Sequence, residues 1–518
     1  MMALLLLLLA DATDAEFLET RARELAARYD QLALRQTPAA VRERAMLVRE
    51  LGHLPFEGDA RDRAGRLLAR IVSGERSYRV RAETARAIAR VGTPEALEAM
   101  VRALFGPVGR EPRFDLLHTV LPEALSSSRR SDHLDWIAEH ILGPAAGSGD
   151  GALLREAGPL ERDLVVLALE GLGRSRARSL GPVIVPLARA GDPEVRAAAV
   201  AALAALEVED AAVEAALADG DERLRAAAAG SRLLPWERAK AALADASPLV
   251  RRAAIRGLGA RPEREAVTLL VDRLRAEEVG PLRLDLADAL EALTGKDLGL
   301  DPDLWTGWWA AARETYAGPV EAEKGERTYF FDLGLRTSRV TFVIDVSASM
   351  ATADAAGLSR LDHAARELGR AVEALPPAAR FRLLSFSSQV RRWPEDATAP
   401  GDRTQAAAAV QALLSQRPGG ATNTYAALML AIEDPFAPDA IVLLTDGSPY
   451  RCAFRGKTYA EPEQILHEVR RANAARAVRI HAVALRSGNG GEEDADDAAV
   501  DFLRRLAAAN RGDFREIR

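Results

Sequence analysis

Three short segments carry side chains able to hold a hard cation. Asp345-Val346-Ser347-Ala348-Ser349 sets an oxygen-bearing side chain at every second position. Thr445-Asp446-Gly447 adds a second carboxylate, and Gly419-Gly420-Ala421-Thr422-Asn423-Thr424 a hydroxyl-bearing turn that enters a helix. The candidate ligands are Asp345, Ser347, Ser349, Thr422 and Asp446. No His or Cys belongs to the set, so the preferred ion is Mg²⁺ ahead of Mn²⁺ or Ca²⁺. Two carboxylates neutralise a divalent ion, while hydroxyls fill further positions without quenching its electrophilicity. Mg²⁺ with few protein ligands keeps waters, and one water can be exchanged for a carboxylate from a partner. That logic favours binding over catalysis. Helix capping would explain any one of these segments, but it explains all three together poorly.

The ligands need a frame that brings distant segments together. Val340–Ile344, Phe381–Phe386, Ile441–Thr445 and Val478–Leu485 are short, mostly apolar, β-rich runs. Helical patterns lie between and after them, at Leu361–Leu375, Thr404–Leu414, Tyr425–Glu433, Pro462–Ala474 and Ala498–Ala509. Strands buried on both faces and alternating with helices predict a doubly wound, mostly parallel α/β sheet. Ligands bind such sheets at the carboxyl ends of the strands, where Asp345 and Asp446 fall.

On these residues the segment from about Ser338 to Arg518 resembles a von Willebrand factor type A (VWA) domain. Asp345-x-Ser347-x-Ser349, Thr422 and Asp446 match that family's metal-ion-dependent adhesion site. The resemblance implies direct hydroxyl ligation by the two serines and the threonine, with the aspartates binding directly or through water. The close of the chain, Asp501 to Arg515, is similar to the last helix and strand of bacterial members. There are two departures. Ala348 replaces a commonly seen Gly but is not a ligand. Ala421 adds a residue after the double glycine, which brings in Thr424 as an alternative to Thr422. Thr422 is preferred, because it stands before the Asn423-Thr424-Tyr425 helix start.

The preceding chain has another period. From about Glu16 to Leu298 it reads as successive amphipathic helices rich in Ala, Leu, Arg and Glu, separated by short turns. Their starts repeat: Ser77…Val80-Arg81-Ala82, Asp192-Pro193-Glu194-Val195-Arg196, Asp221…Leu224-Arg225 and Ser247-Pro248-Leu249-Val250-Arg251. Each offers a Ser or Asp N-cap, and Pro193 and Pro248 take the first helical position. Arg196 to Arg225 is 29 residues and Arg225 to Arg251 is 26, shorter than the roughly 40–47 of ordinary HEAT units. The pattern resembles short, Ala- and Arg-rich bacterial HEAT repeats, which stack into a solenoid. The stretch Gly143–Gly151 reads as an exposed loop. Three of the six tryptophans, Trp305, Trp308 and Trp309, are expected to cap the last repeat rather than form a ligand platform.

The expected organisation is multidomain. A probable signal peptide (1–15) precedes an all-α HEAT-like solenoid (16–300), then a Trp-rich cap and linker (301–336), then an α/β doubly wound, Rossmann-like VWA domain (337–518). The apolar run Ala3–Ala10 is too short to span a bilayer and fits a secretory signal ending at Ala10-Asp11-Ala12, though no Lys or Arg precedes it. Export to the periplasm or exterior is expected, with a cytoplasmic location as the alternative. No other stretch approaches transmembrane length.

Composition bounds the rest. The 518 residues are 48% hydrophobic and 28% charged, with a net charge of −7, which fits folded soluble protein and gives no basic field for nucleic acid. The single cysteine, Cys452, excludes disulfide frameworks and cysteine-built metal sites within one chain. It reads as exposed. Arg455-Gly456-Lys457-Thr458 ends like a phosphate-binding loop, but Arg451 stands where that motif needs Gly. Arg451, Arg455 and Lys457 read instead as a surface loop that could touch an acidic partner. The seven histidines include no HExxH pair, and His481 reads as core. The acidic run Glu492–Asp497 reads as a solvated loop. The expected function is therefore a non-enzymatic interaction or adhesion protein, binding an acidic protein partner through Mg²⁺ on a HEAT-like scaffold. The alternative is an accessory subunit of a chelatase- or ATPase-type complex. A hydrolase using Asp345 as nucleophile is weakest, because Ser347 stands where phosphoryl-transfer enzymes of that type carry a second aspartate.

Overall fold

The computed structural model describes residues 15–517 apart from 36, 76, 106–123, 125–129, 149–150, 320–327, 354–356, 396–398, 448, 450–451, 455, 460–461 and 486–492. The apolar N-terminal run and the candidate partner residues Arg451 and Arg455 lie outside the described residues. Among the described residues no helix is long and apolar enough to cross a membrane. The chain divides into two compact units, Met1–Pro235 and Trp236–Arg518.

The first unit is all helical among its described residues. Helix Pro38–Leu51 packs on Tyr78–Val91, and Gly58–Gly74 on Pro94–Phe105. Contact between a helix and the one two places along is the stacking of a helical repeat array. The repeated helix starts explain themselves at atomic level. Asp192 and Asp221 accept backbone N–H bonds at their helix starts as N-caps should, whereas Ser77 holds the cap position without a side-chain bond. At Arg196 and Arg225 the recurring arginine reaches back to two carbonyls of the turn before its helix. Arg196 bonds Ala190 and Gly191 at 2.9 and 2.8 Å, and Arg225 bonds Asp219 and Gly220 at 2.9 and 3.0 Å. Each guanidinium thus satisfies carbonyls that no helix can use. Gly143–Ala145, expected in a loop, forms a short helical turn with Gly143 buried.

In the second unit the same device recurs at Arg251, which bonds Asp245 and Ala246, each at 2.9 Å. Helix Pro248–Leu258 packs on Pro281–Thr294, and Arg264–Ala276 on Pro302–Ala312. Trp305 and Trp309 are buried in that last helix, with indole N–H bonds to Gly299 O (3.0 Å) and Thr268 Oγ1 (3.2 Å). These two rings are core.

The sheet domain follows, and its elements are numbered from its own start. A hairpin, β1 (Thr328–Phe330) and β2 (Leu333–Leu335), precedes β3 (Arg339–Asp345), α1 (Arg360–Glu373) and β4 (Arg380–Phe386). Then come β5 (Val390–Trp393), β6 (Ala399–Pro400), α2 (Arg403–Leu414), α3 (Thr424–Ile432) and β7 (Ala440–Thr445). A second hairpin, β8 (Cys452–Phe454) and β9 (Lys457–Tyr459), precedes α4 (Pro462–Arg476), β10 (Arg479–Leu485), α5 (Glu493–Ala509) and β11 (Phe514–Ile517). The main sheet runs β11-β10-β7-β3-β4-β5. Its first five strands are parallel, while β5 and β6 pair with β4 antiparallel. One core layer sets Val340, Phe342 and Ile344 against Leu368 of α1 and Leu413 of α2. The other sets Val343 and Leu443 against Leu428 of α3, Val469 of α4 and Leu503 of α5. Helices therefore cover both faces, as the continuous apolar strands require. From β3 the chain moves to β4 on one side and then returns to β7 on the other, so the topological switch point lies between β3 and β7.

Two sequence expectations change. Cys452–Phe454 and Lys457–Tyr459, expected as surface loop, pair as β8 and β9, and Cys452 is buried against α3 with its Sγ donating to Thr422 O at 3.4 Å. Residues 493–497 belong to α5 rather than to a loop.

Candidate metal centre

The strand order places the ends of β3 and β7 beside each other, and this brings Asp345 and Asp446 to one edge. Asp345 is fully buried. Its Oδ1 accepts from the Ser347 amide at 2.7 Å, and its Oδ2 accepts from the Thr445 hydroxyl. Ser347 and Ser349 hydroxyls are 3.1 Å apart, and Ser349 donates to Asp446 Oδ1 at 2.7 Å. Four of the five expected ligands therefore form one connected group. Arg360, at the first turn of α1, donates through Nη1 to Asp446 Oδ2 at 2.5 Å.

The fifth residue arrives on a fastened turn. Gly419 N donates to Val346 O at 2.9 Å, Ala421 N to Ser388 Oγ at 2.9 Å, and Asn423 N to Ser387 O at 3.0 Å. Gly420 sits at φ +82°, and a β-carbon there would lie 2.7 Å from Ser388 Oγ. Only glycine meets both conditions. Thr422 is half-buried beside Asp446-Gly447: a β-carbon built at Gly447 would stand 3.4 Å from Thr422 Oγ1. Thr424, the alternative, is fully buried at the start of α3, and its hydroxyl has no partner among the described residues. Asn423 caps α3 through Ala426 N at 3.2 Å and ties the turn to β8 through Ala453 O at 2.8 Å. Lys457 lies in β9, on the far strand of that hairpin.

Burial pushes the Asp345 carboxyl up to about 6, against the Thr445 and Ser347 hydrogen bonds, and the neighbouring Asp446 charge pushes the same way. The donor set is two carboxylates plus hydroxyls. Among the described residues no cluster of three or more His, Cys, Asp or Glu exists to favour a softer ion. Two carboxylates and neutral hydroxyls are the donors a hard divalent ion takes, so the chemistry of this donor set fits one. Sequence reading missed Thr445 and Arg360. Thr445 was legible as the residue before Asp446, but Arg360 is 86 residues from its carboxylate with no motif to mark it.

Comparison with known proteins agrees with the fold. Residues 338–515 match the von Willebrand factor type A domain family. Among solved structures, the pilus adhesin SpaC of Lactobacillus rhamnosus GG matches at 15% identity, covering 38% of this chain and 29% of its own, with a TM-score of 0.27. A von Willebrand factor type A protein of Catenulispora acidiphila matches at 20% identity, covering 36% and 40%, with a TM-score of 0.26. Proximal thread matrix protein 1 of the mussel byssus matches at 18%, covering 34% and 41%, with a TM-score of 0.24. This chain thus spans less than half the length of each of the three. No curated protein matches. The parallel sheet, its switch point and the family match together identify residues 338–515 as a von Willebrand factor type A domain, carried behind an all-helical, repeat-like region.

Proposed function

We propose that this domain holds a divalent cation, Mg²⁺ by preference, on Asp345, Ser347, Ser349, Thr422 and Asp446, and through it binds a protein partner that supplies an acidic side chain. The observation that carries this reading is the connected set Asp345–Ser347–Ser349–Asp446 at the topological switch point, two carboxylates linked through two serines. The ion, when bound, supplies an electrophilic centre for a carboxylate oxygen. The chain's own residues do the rest. Thr445 and the Ser347 amide orient Asp345, Ser349 orients Asp446, and the Ser388-anchored turn presents Thr422. The helical region serves as scaffold, and export requires that the apolar run Ala3–Ala10 act as a signal.

Calorimetric titration tests the reading. Mg²⁺ should bind the wild-type chain and should not bind Asp345→Ala or Asp446→Ala. EDTA should release a captured acidic partner and Mg²⁺ should restore it. A wild-type chain that takes up none of Mg²⁺, Mn²⁺ or Ca²⁺ rules the site out.

A further inference from the structure

Arg360 has no place in the ligand set, yet it holds one of the ligands. Asp446 has both oxygens engaged, Oδ1 by Ser349 and Oδ2 by Arg360. The Asp446 side chain is fully shielded from solvent, and only 13% of the Arg360 side chain is exposed. A pair so shielded is screened little by water or salt, and removing one member leaves the other charge uncompensated. Arg360 is also fixed from behind. Its amide donates to Thr352 O at 3.0 Å, and Ser359 and Asp362 form a capping box around the start of α1. The guanidinium therefore points at Asp446 from a rigid base.

Charge balance then limits what the group can hold. Asp345 and Asp446 contribute two negative charges and Arg360 one positive, so the group carries one net negative charge. A dication added with Arg360 in place would leave the group net positive in a shielded site. With Arg360 withdrawn, the dication and the two carboxylates balance. The geometry gives the same answer, because an ion held by Asp446 needs one of its oxygens and both are engaged, Oδ1 by Ser349 and Oδ2 by Arg360.

We infer that Arg360 is a built-in counter-ion of the metal edge: it neutralises Asp446 in the cation-free chain, yields that carboxylate when a divalent ion binds, and so sets the affinity for the ion. This rests on the metal site proposed above. It makes Arg360 a residue that tunes occupancy rather than a ligand. Ion binding is then coupled to movement of the Arg360 side chain, because the ion and the guanidinium compete for Asp446.

The test is Mg²⁺ titration of wild type, Arg360→Gln and Arg360→Lys at one pH and ionic strength, with thermal melts to confirm folding. Arg360→Gln should bind Mg²⁺ about ten- to a hundredfold tighter, because the ion no longer displaces a charge-assisted hydrogen bond. Arg360→Lys should fall between the two, since a hydrated ammonium lacks the planar fork of arginine. Equal or weaker binding in Arg360→Gln overturns the inference. If that variant does not fold, Arg360→Lys decides, and affinity equal to wild type overturns the inference just as well. A wild-type chain that binds no divalent ion, behaving like Asp446→Ala, instead overturns the metal site itself and this inference with it.

Discussion

The two ends of one sheet give buried acids unequal numbers of arginines: Asp434 and Asp285 each meet two or more, whereas Asp345 and Asp446 have one between them. At the amino ends of the strands each acid meets a dedicated partner. Asp439 accepts from the Ser338 and Arg339 amides at 2.9 and 3.1 Å and from the Thr337 hydroxyl. Asp434 receives Arg382 at 2.7 Å, Arg392 at 3.4 Å and the Phe436 amide at 2.8 Å. Asp285, from helix Pro281–Thr294, gathers Arg252, Arg479 and Arg511. At the carboxyl ends, Asp345 has no cation bonded to it among the described residues, and Asp446 shares one arginine with a chain of hydroxyls. Buried carboxylates supplied with guanidinium and amide partners serve the fold. At the switch point Asp345 and Asp446 have one guanidinium between two carboxylates.

The largest effect should come from exchanging the two ends in a mutational comparison. Asp345→Ala should abolish Mg²⁺ binding with little loss of helical signal. Asp434→Ala should leave Mg²⁺ affinity unchanged but cost about 3–5 kcal/mol in urea unfolding, because the buried Arg382 loses the carboxylate it bonds through both oxygens. If Asp434→Ala also removes Mg²⁺ binding without unfolding the domain, the two ends are not independent and the comparison fails.

Truncation probes the amino end as a whole. Arg336 bonds Asp288 at 2.9 Å and Glu291 at 2.6 Å, Arg479 reaches Asp285 and Asp288, and Arg339 donates to Val279 O at 2.8 Å. A fragment of residues 327–518 strands these guanidiniums, whereas 236–518 keeps their partners. The shorter fragment should be less stable by about 3 kcal/mol or more in urea. Both fragments should bind Mg²⁺ alike, and unequal affinity would tie the carboxyl edge to the helices.

A smaller effect distinguishes the two threonines. Thr422→Ala should weaken Mg²⁺ about tenfold, near 1.4 kcal/mol, and weaken the partner complex further. Thr424→Ala should leave the affinity unchanged, and the reverse result would reassign the ligand to Thr424.

The smallest effect is a slope with pH. Burial raises the Asp439 carboxyl above its ordinary value despite its Thr337, Ser338 and Arg339 hydrogen bonds. A raised folded-state value means that the native chain holds this proton more tightly than the unfolded chain. Its stabilising contribution is full below the unfolded carboxylate value and is lost as pH rises through the folded one. Relative to Asp439→Asn, the wild type should gain stability on acidification over that window. Parallel pH profiles for the two proteins would contradict this.

Much of this was legible in the residues. The alternation of apolar runs and helical patterns located β3, β4, β7 and β10, and the histidine in β10 is core as its strand position implied, accepting from Asp513 N at 3.1 Å through Nδ1. The repeated Asp or Ser starts located the helix N-caps, because capping chemistry is local. The β8–β9 hairpin and the burial of Cys452 were not legible. Three-residue strands leave too short a period to read, and what covers a side chain depends on a helix from elsewhere in the chain.

The sequence by itself determined the kinds of ligand, their order along the chain and the alternation of elements that carries them. Each of those rests on near neighbours: a period of two or 3.6, a cap, a turn residue. Tertiary structure decided which of them meet. Thr445 reaches Asp345 across 100 residues, and Arg360 reaches Asp446 across 86. Those meetings result from strand order, and strand order comes from how helices of both faces pack on the sheet. No local spacing encodes that an arginine at the start of the first crossover helix will face the second carboxylate. Only the folded chain places that positive charge against Asp446.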